Sequence, residues 1–430
     1  MVSRLANKQL GSRRRASGVA AIAAAAFLVT GCMGGSDQGA DAAGGEGYAY
    51  GASEEEIKAA FADIEPVNLV YQPSSQSAKD FAAPREIEFA ENIEKLSDGK
   101  VTVEIVYGQA IAPFPEVPQA LADGRLDIAS FPPIYMPEEF PKFNNLLTAT
   151  TMLGSSPLVG ELAATAAITE TWWNSPEVLE ELRAESLHVI LPVEPAGQQV
   201  AGCESDHVSE SDWSGALGRG SSEVHMAQLE ALGATPVSVE AGEVFEGLQR
   251  NMFDCVIFPF VGFDLFGLDE VAPSISYLSE VSFNRGPNAF LGGAKFDSLP
   301  LAVRQLVFDQ GAALYANSRY GDLDAAAEVI QATRENGGLN EISPDLQKSL
   351  YDASTDLINE QVANGELPEN TVEDLRSSYD KWLEVAKDLG YEDEGTFEEF
   401  DQWYERDDVD LMPFATELFE EVFLEHRPTE

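Results

Sequence analysis

From Val67 to Phe131 the chain alternates between two hydrophobic periods, and that alternation limits the folds open to it. Val67-Asn68-Leu69-Val70-Tyr71 reads as a buried strand, Phe81 to Leu96 has helical spacing that stops near Gly99, and Val101 to Tyr107 is β-branched and alternating. A short helix over Pro115 to Ala122, closed by Gly124, leads to a strand over Leu126 to Phe131. Strand–helix–strand–helix–strand order predicts a parallel, doubly wound sheet. Helices are expected from Leu158 to Arg183, then a strand from Leu187 to Pro192. A second α/β set runs from Gly197 to Leu278, with a helix at 221–232, a strand at Thr235-Pro236-Val237-Ser238, a helix at 242–250 and a strand at 253–258. Strands return between Val281 and Lys295, and everything after Leu299 reads as helical. The expected fold class is therefore α/β: two doubly wound lobes with a ligand cleft between them, plus a helical C-terminal extension. The expected boundaries are 66–196 with about 284–335 for the first lobe, 197–283 with part of the C-terminal helices for the second, and 340–430 for the extension. Ligands of such sheets bind at the C-terminal ends of strands.

The first 31 residues are excluded from that fold. Arg4, Lys8, Arg13, Arg14 and Arg15 precede an apolar run of eleven residues, Val19 to Val29, and Leu28-Val29-Thr30-Gly31-Cys32 follows. A bilayer-spanning helix needs about 20 apolar residues, so this is the signature of a lipoprotein signal peptide, not of a membrane anchor. Cys32 is the expected lipidation site, which places the mature chain on the extracytoplasmic face of a membrane. Residues 32–65 are expected to form a flexible tether.

Charge narrows the partners. The chain has 26 basic and 74 acidic residues, a net −48, and the signal segment takes five of the basic ones. So acidic a surface repels nucleic acid and anionic lipid, and it suits a salt-rich setting. Of three cysteines, Cys203 and Cys255 remain after Cys32. Outside the cytosol they are expected as a disulfide, with two buried thiols as the alternative.

No catalytic motif is present: no G-x-S-x-G, no Walker loop, no H-E-x-x-H. His188, His207, His225 and His426 show no metal spacing, and no metal or cofactor is expected. The feature that stands out is Arg219, between Gly218 and Gly220 and just before a helix start. Read from the residues alone, it is either a surface arginine or an anion site, in which flanking glycines admit a ligand and the guanidinium fork takes a carboxylate.

The segment around Arg219 resembles the solute-binding proteins of TRAP (tripartite ATP-independent periplasmic) transporters. Asp212-Trp213-Ser214-Gly215-Ala216-Leu217-Gly218-Arg219, then Leu232-Gly233-Ala234-Thr235-Pro236-Val237, then Glu243-Val244-Phe245-Glu246-Gly247-Leu248-Gln249 follow that family's order and spacing. So do Leu96-Ser97-Asp98-Gly99-Lys100 and Ala122-Asp123-Gly124-Arg125-Leu126-Asp127 in the first lobe. The resemblance implies that Arg219 pairs with the carboxylate of an organic acid, that Asn284 and Ser222 contact ligand, and that Gln199, Gln76, Tyr135 and Glu243 complete the ligand set. It also implies the two-lobed fold of periplasmic binding proteins, membrane transporter subunits as partners and no enzymatic activity. Departures exist. Ala216-Leu217-Gly218 replace basic and β-branched residues, Gln198-Gln199 stand where a second arginine often lies, and Cys255 replaces a glycine. One arginine with amides suits a monocarboxylate, a sugar acid or a larger polar ligand. The alternatives are a neutral solute serving another transporter or a sensor and, less in keeping with the motif search, an envelope enzyme.

Overall fold

The computed structural model describes residues 47–334 and 338–429; the signal peptide, Cys32 and the first part of the tether lie outside them. The tether expected to reach residue 65 is packed from Gly47 on. Tyr48 N donates to Gln305 Oε1, and Arg427 Nη1 donates to Tyr48 O. Ser53 and Glu56 form a capping box that starts helix α1 (Glu54–Ala60), after which Phe61 and Ile64 are buried. Two buried apolar side chains fix this stretch, although its overall composition is small and polar.

β1 (Val67–Gln72), α2 (Ala83–Leu96), β2 (Val101–Ile105), α3 (Val117–Ala122) and β3 (Ile128–Phe131) follow in order. Next come α4 (Pro141–Leu147), α5 (Val159–Trp173), α6 (Pro176–Ala184) and β4 (His188–Glu194). The helical region expected over 158–183 is thus two helices, because Pro176 disfavours helix at Ser175 and restarts it at its own position. The chain crosses at 195–198 into β5 (Gln199–Cys203), α7 (Glu210–Trp213), β6 (Leu217–Gly220), α8 (Glu223–Leu232), β7 (Thr235–Ser238), α9 (Val244–Gln249), β8 (Cys255–Pro259), α10 (Phe260–Phe266) and β9 (Ser274–Tyr277). It returns at 278–287 to β10 (Asn288–Gly292), then runs through α11 (Leu301–Phe308) and α12 (Gly311–Thr333). β11 (Leu339–Glu341) lies inside the region expected to be wholly helical. α13 (Pro344–Ala363), α14 (Thr371–Asp388), α15 (Phe400–Trp403) and α16 (Met412–Leu418) end the chain.

Two sheets result, ordered β2-β1-β3-β10-β4 and β11-β9-β5-β8-β6-β7. The first is parallel across β2-β1-β3, as the alternation predicts. It turns antiparallel at β10, which enters from the other lobe instead of through a helical crossover. The second is parallel at β7-β6-β8 and antiparallel at β8-β5-β9. Cys203 pairs across from Cys255 in neighbouring strands and forms the disulfide.

α5 (VGELAATAAITETWW) carries apolar residues on every side, so it must be covered all round. β4 covers one side and α14 of the C-terminal extension another, with Glu170 bonded to Lys381 and Trp382. In the first turn of α5, Ser156 Oγ accepts from Gly160 N at 2.7 Å, and Asp393 takes the two donors before it, accepting from Leu158 N at 2.7 Å and Val159 N at 3.1 Å.

Candidate functional site

Arg219 lies in β6, between β8 and the edge strand β7 of the second sheet. Side chains alternate across a strand, so its glycine neighbours share the opposite face. That face is under α8: a Cβ at Gly218 would lie 2.4 Å from Leu229 Cδ2, and one at Gly220 would lie 2.5 Å from His225 Cβ. The glycines are there so that the helix can approach the strand. They do not open a path for ligand, contrary to the expectation from sequence.

The arginine itself is fully buried. Its Nε and Nη2 donate to Val239 O at 2.9 and 2.7 Å, and Nη2 lies 3.5 Å from Tyr135 Oη of the other lobe. Its Cζ sits 5.0 Å from the centroid of the Phe258 ring. Gly262 makes that ring position possible, since a Cβ there would lie 1.9 Å from Phe258 Cδ1. Nη1 has no hydrogen-bond partner, and among the described residues no carboxylate forms an ion pair with Arg219. A buried cation without a counter-ion is costly unless an anion completes it.

Beside Arg219, between the lobes, is a cavity of about 150 Å³. The first lobe contributes Ser74, Arg85, Phe114, Ile134 and Tyr135, the second Gln199, Ala241, Phe258 and Phe266, and the crossing segments Glu194, Asn288, Ser318 and Asp322. Phe114 and Tyr135 stack at 6.2 Å. Ligand sites of drug size occupy about 300–1,000 Å³, so only a small molecule fits.

Of the residues singled out from sequence, Tyr135 and Gln199 are on this wall, and Arg219 is directly behind Tyr135 and Phe258. The others lie elsewhere. Ser222 caps α8, accepting from His225 N at 3.0 Å, and donates to Asn284 Oδ1. Asn284 donates through its backbone N–H to Gln228 Oε1 and through Nδ2 to Leu147 O at 2.8 Å, and accepts from His225 Nε2 on its carbonyl. Its side chain is therefore committed to joining α8 to the first lobe at the second crossing. Gln76 closes a turn with Asp80 and Ser74, and Glu243 is exposed outside the cavity. Burial depresses the His225 imidazole to about 3. It stays neutral, donating from Nε2 while Nδ1 faces the Ser221 N–H at 3.2 Å.

Seven charged residues at or beside the crossings are absent from the sequence reading. Arg85 pairs with Glu194 and Glu86, each at 3.1 Å. Arg319 pairs with Asp322 at 2.8 Å, and Arg285 grips Glu161 through both nitrogens at 2.8 and 2.7 Å. Burial pushes the Asp322 and Glu86 carboxyls up, whereas Arg285 outweighs burial and holds Glu161 below the usual carboxylate range. Ser155 Oγ, 2.7 Å from Glu161 and 2.9 Å from Gln198 Oε1, extends this group to the first crossing. The available signal was scarcity: lysine and arginine together make up only 26 of the 430 residues.

Cys203, His207 and Cys255 bring their ligand atoms within 4.8 Å of one another, but sulfurs bound to each other offer no thiolate to a metal.

Two lobes linked by crossing segments, with a small cavity walled by both, are the architecture of a solute-binding receptor of the periplasmic-binding type. Residues 77–364 match the bacterial extracellular solute-binding protein family 7 (DctP), and the chain belongs to that family, the solute-binding proteins of TRAP transporters. A solute-binding protein of Albidiferax ferrireducens is 26% identical over 285 residues, covering 64% of this chain and 80% of its own. The ectoine-binding periplasmic protein TeaA of Halomonas elongata is 27% identical over 172 residues, 37% of this chain and half of its own length. Among solved structures, a marine metagenome TRAP solute-binding protein specific for aromatic acid ligands superposes with TM-score 0.63 at 20% identity, over 74% of this chain and 99% of its own. The sugar acid binding protein DctPAm of Advenella mimigardefordensis, in complex with galactonate, gives 0.62 at 20% identity, over 74% and 100%. No helix among the described residues is long and apolar enough to cross a membrane.

Proposed function

We propose that this protein captures a small organic acid between its lobes, with Arg219 as the carboxylate clamp, and delivers it to a TRAP-type membrane carrier. The observation that carries the reading is the state of Arg219: buried, tied on two nitrogens, with Nη1 unpartnered and no acidic side chain in reach. A carboxylate supplies the missing charge and accepts from the guanidinium edge. Tyr135 and Gln199 border the same cavity and would orient the acid, while Ser222 and Asn284 hold the crossing on which the lobes swing. Structural relatives are described in complexes with 3-hydroxybenzoate, pyroglutamate, galactonate and benzoate, all carboxylic acids. Cys32, after its signal peptide, would hold the protein on the membrane by lipid, close to the carrier.

The test is a thermal-shift screen of carboxylic acids against matched neutral amides and sugars. An acid at 100 times its dissociation constant adds about 2.7 kcal/mol of stability. Shifts with acids are expected; shifts with neutral solutes alone would refute the clamp. For the anchor, Cys32→Ser should release the protein from membrane fractions; retention of that variant would refute lipidation.

A further inference from the structure

β4 and β10 each connect the cavity between the lobes, at Glu194 and Asn288, to a second cavity of about 710 Å³, reached at His188 and Ala294. The seven residues of β4 set the two about 20 Å apart, so the second is no part of the first.

Charge is inverted in this second cavity. Acids outnumber bases by 48 in the whole chain, yet here Arg183 and Arg304 face one carboxylate among the described residues, Asp297. That carboxylate is spent on His188, with Oδ1 2.5 Å from Nδ1. Arg304 donates through Nε to Leu299 O at 3.2 Å, and Arg183, exposed near the end of α6, forms no ion pair among the described residues. Two further donors lack acceptors. The indole N–H of the buried Trp173 has no partner, and His426, stacked on that ring at 4.2 Å, makes no aligned hydrogen bond through Nε2, although Glu425 Oε1 is 3.3 Å away. Burial, with Arg183 adding to it, holds the His188 and His426 imidazoles below their usual range against the pull of Asp297 and Glu425.

The position is as informative as the charge. Tyr48 packs on the two segments that wall this cavity: its N donates to Gln305 Oε1 at 2.9 Å, next to Arg304, and Gln305 Nε2 donates to Pro428 O at 2.9 Å. Cys32 precedes Gly47 by 15 residues, which span at most about 54 Å when fully extended.

We infer that this cavity seats the phosphodiester of a zwitterionic phospholipid headgroup, so that the first lobe rests on the membrane holding the anchor. This depends on the lipid-anchor reading above and adds a second contact to it. Guanidinium forks match phosphate oxygens, and a bilayer of zero net charge is not repelled by the acidic chain. A tether of this reach presents headgroups at about millimolar concentration, so a weak site is filled.

Hydrogen exchange of the lipidated protein tests it, on vesicles of phosphatidylcholine and on vesicles of digalactosyldiacylglycerol, which has no phosphate. Sedimentation is read first: a parent protein that stays in the supernatant overturns the anchor and this inference with it. In sedimented protein, amides over 183–189 and 301–308 should exchange at least about twofold more slowly on phosphatidylcholine, the effect of half-occupancy, while those of β8 keep their rates. Equal rates on both vesicles refute the seating and leave the anchor standing. Equal slowing on the glycolipid by about 1 mM inorganic phosphate, the concentration at which the tether presents headgroups, identifies a free-phosphate site and refutes membrane seating. Arg183→Gln, at an exposed position, should remove the difference, and Arg304→Gln should do the same. A difference that survives in both variants refutes this cavity as the seat.

Discussion

Arg219→Met separates a binding residue from a packing one. Methionine keeps much of the apolar stem and removes the charge. Val239 O then loses both donors, a cost of about 1–3 kcal/mol for an unsatisfied buried carbonyl. Against this, replacing a buried charge that lacks a counter-ion with an apolar side chain of similar volume stabilises by about 1–4 kcal/mol. The two nearly cancel, so the ligand-free variant should unfold within about 2 kcal/mol of the parent. The ligand increment behaves differently. Whatever acid stabilises the parent by about 2.7 kcal/mol at 100 times its dissociation constant should add nothing to the variant. Urea unfolding of both proteins, with and without that acid, gives all four numbers. If ligand-free Arg219→Met lost more than about 4 kcal/mol, in the range of a cavity left by a large core side chain, and kept its ligand increment, Arg219 would be a structural residue and the clamp would fail.

Further outcomes follow from other contacts. The disulfide spans 52 residues, so replacing Cys203 and Cys255 together by alanine should cost about 4 kcal/mol in a denaturant titration. Arg285→Met alone should destabilise by about 3–5 kcal/mol, because it strands Glu161 in the interior, and the double variant with Glu161→Leu should recover most of that loss. The folded His225 titrates near 3 against 6.5 when free, so between those values the unfolded chain holds a proton that the folded chain lacks. Stability should therefore fall as pH drops from 6.5 towards 3, and His225→Gln should remove that share of the slope. Raising NaCl should raise the melting temperature by screening the acidic surface, an effect measurable by differential scanning fluorimetry.

Much of the architecture was legible because its signals are local. The strand at Thr235–Ser238 and the helices over 83–96 and 223–232 declare themselves through period, caps and glycine stops. β11 does not: three residues, Leu339-Asn340-Glu341, have no period to read and become a strand by pairing with β9. The antiparallel entry of β10 depends on the chain having visited another lobe, which no window of sequence contains. At the site, Arg219 was visible through its glycines, although their purpose is the packing of α8. Arg85, Glu194 and Asp322 were not, since they are 109 and 128 residues apart along the chain from Glu194 backwards and forwards, and only the crossing segments bring them together. Asn284 and Ser222 read as ligand contacts because they are near Arg219, yet each spends its polar groups on the other and on the crossing.

The segment around Asp393 bears on how the molecule comes apart. Asp393 caps α5 in the first lobe, and five residues later Glu398 accepts from Tyr277 Oη at 2.6 Å in β9 of the second, with Phe397 against the same tyrosine ring. α13 likewise touches α8 of one lobe and the residues just after α4 in the other. Neither lobe finishes its own surface; each leaves an apolar or uncapped face that the tail closes. After α13 the tail lies beyond residue 364, the last one matched by the family, so an addition outside the receptor core has become a condition of that core's cooperativity. Heat or denaturant should then meet one unit, melting in a single transition, where two lobes joined only by linkers would melt in two.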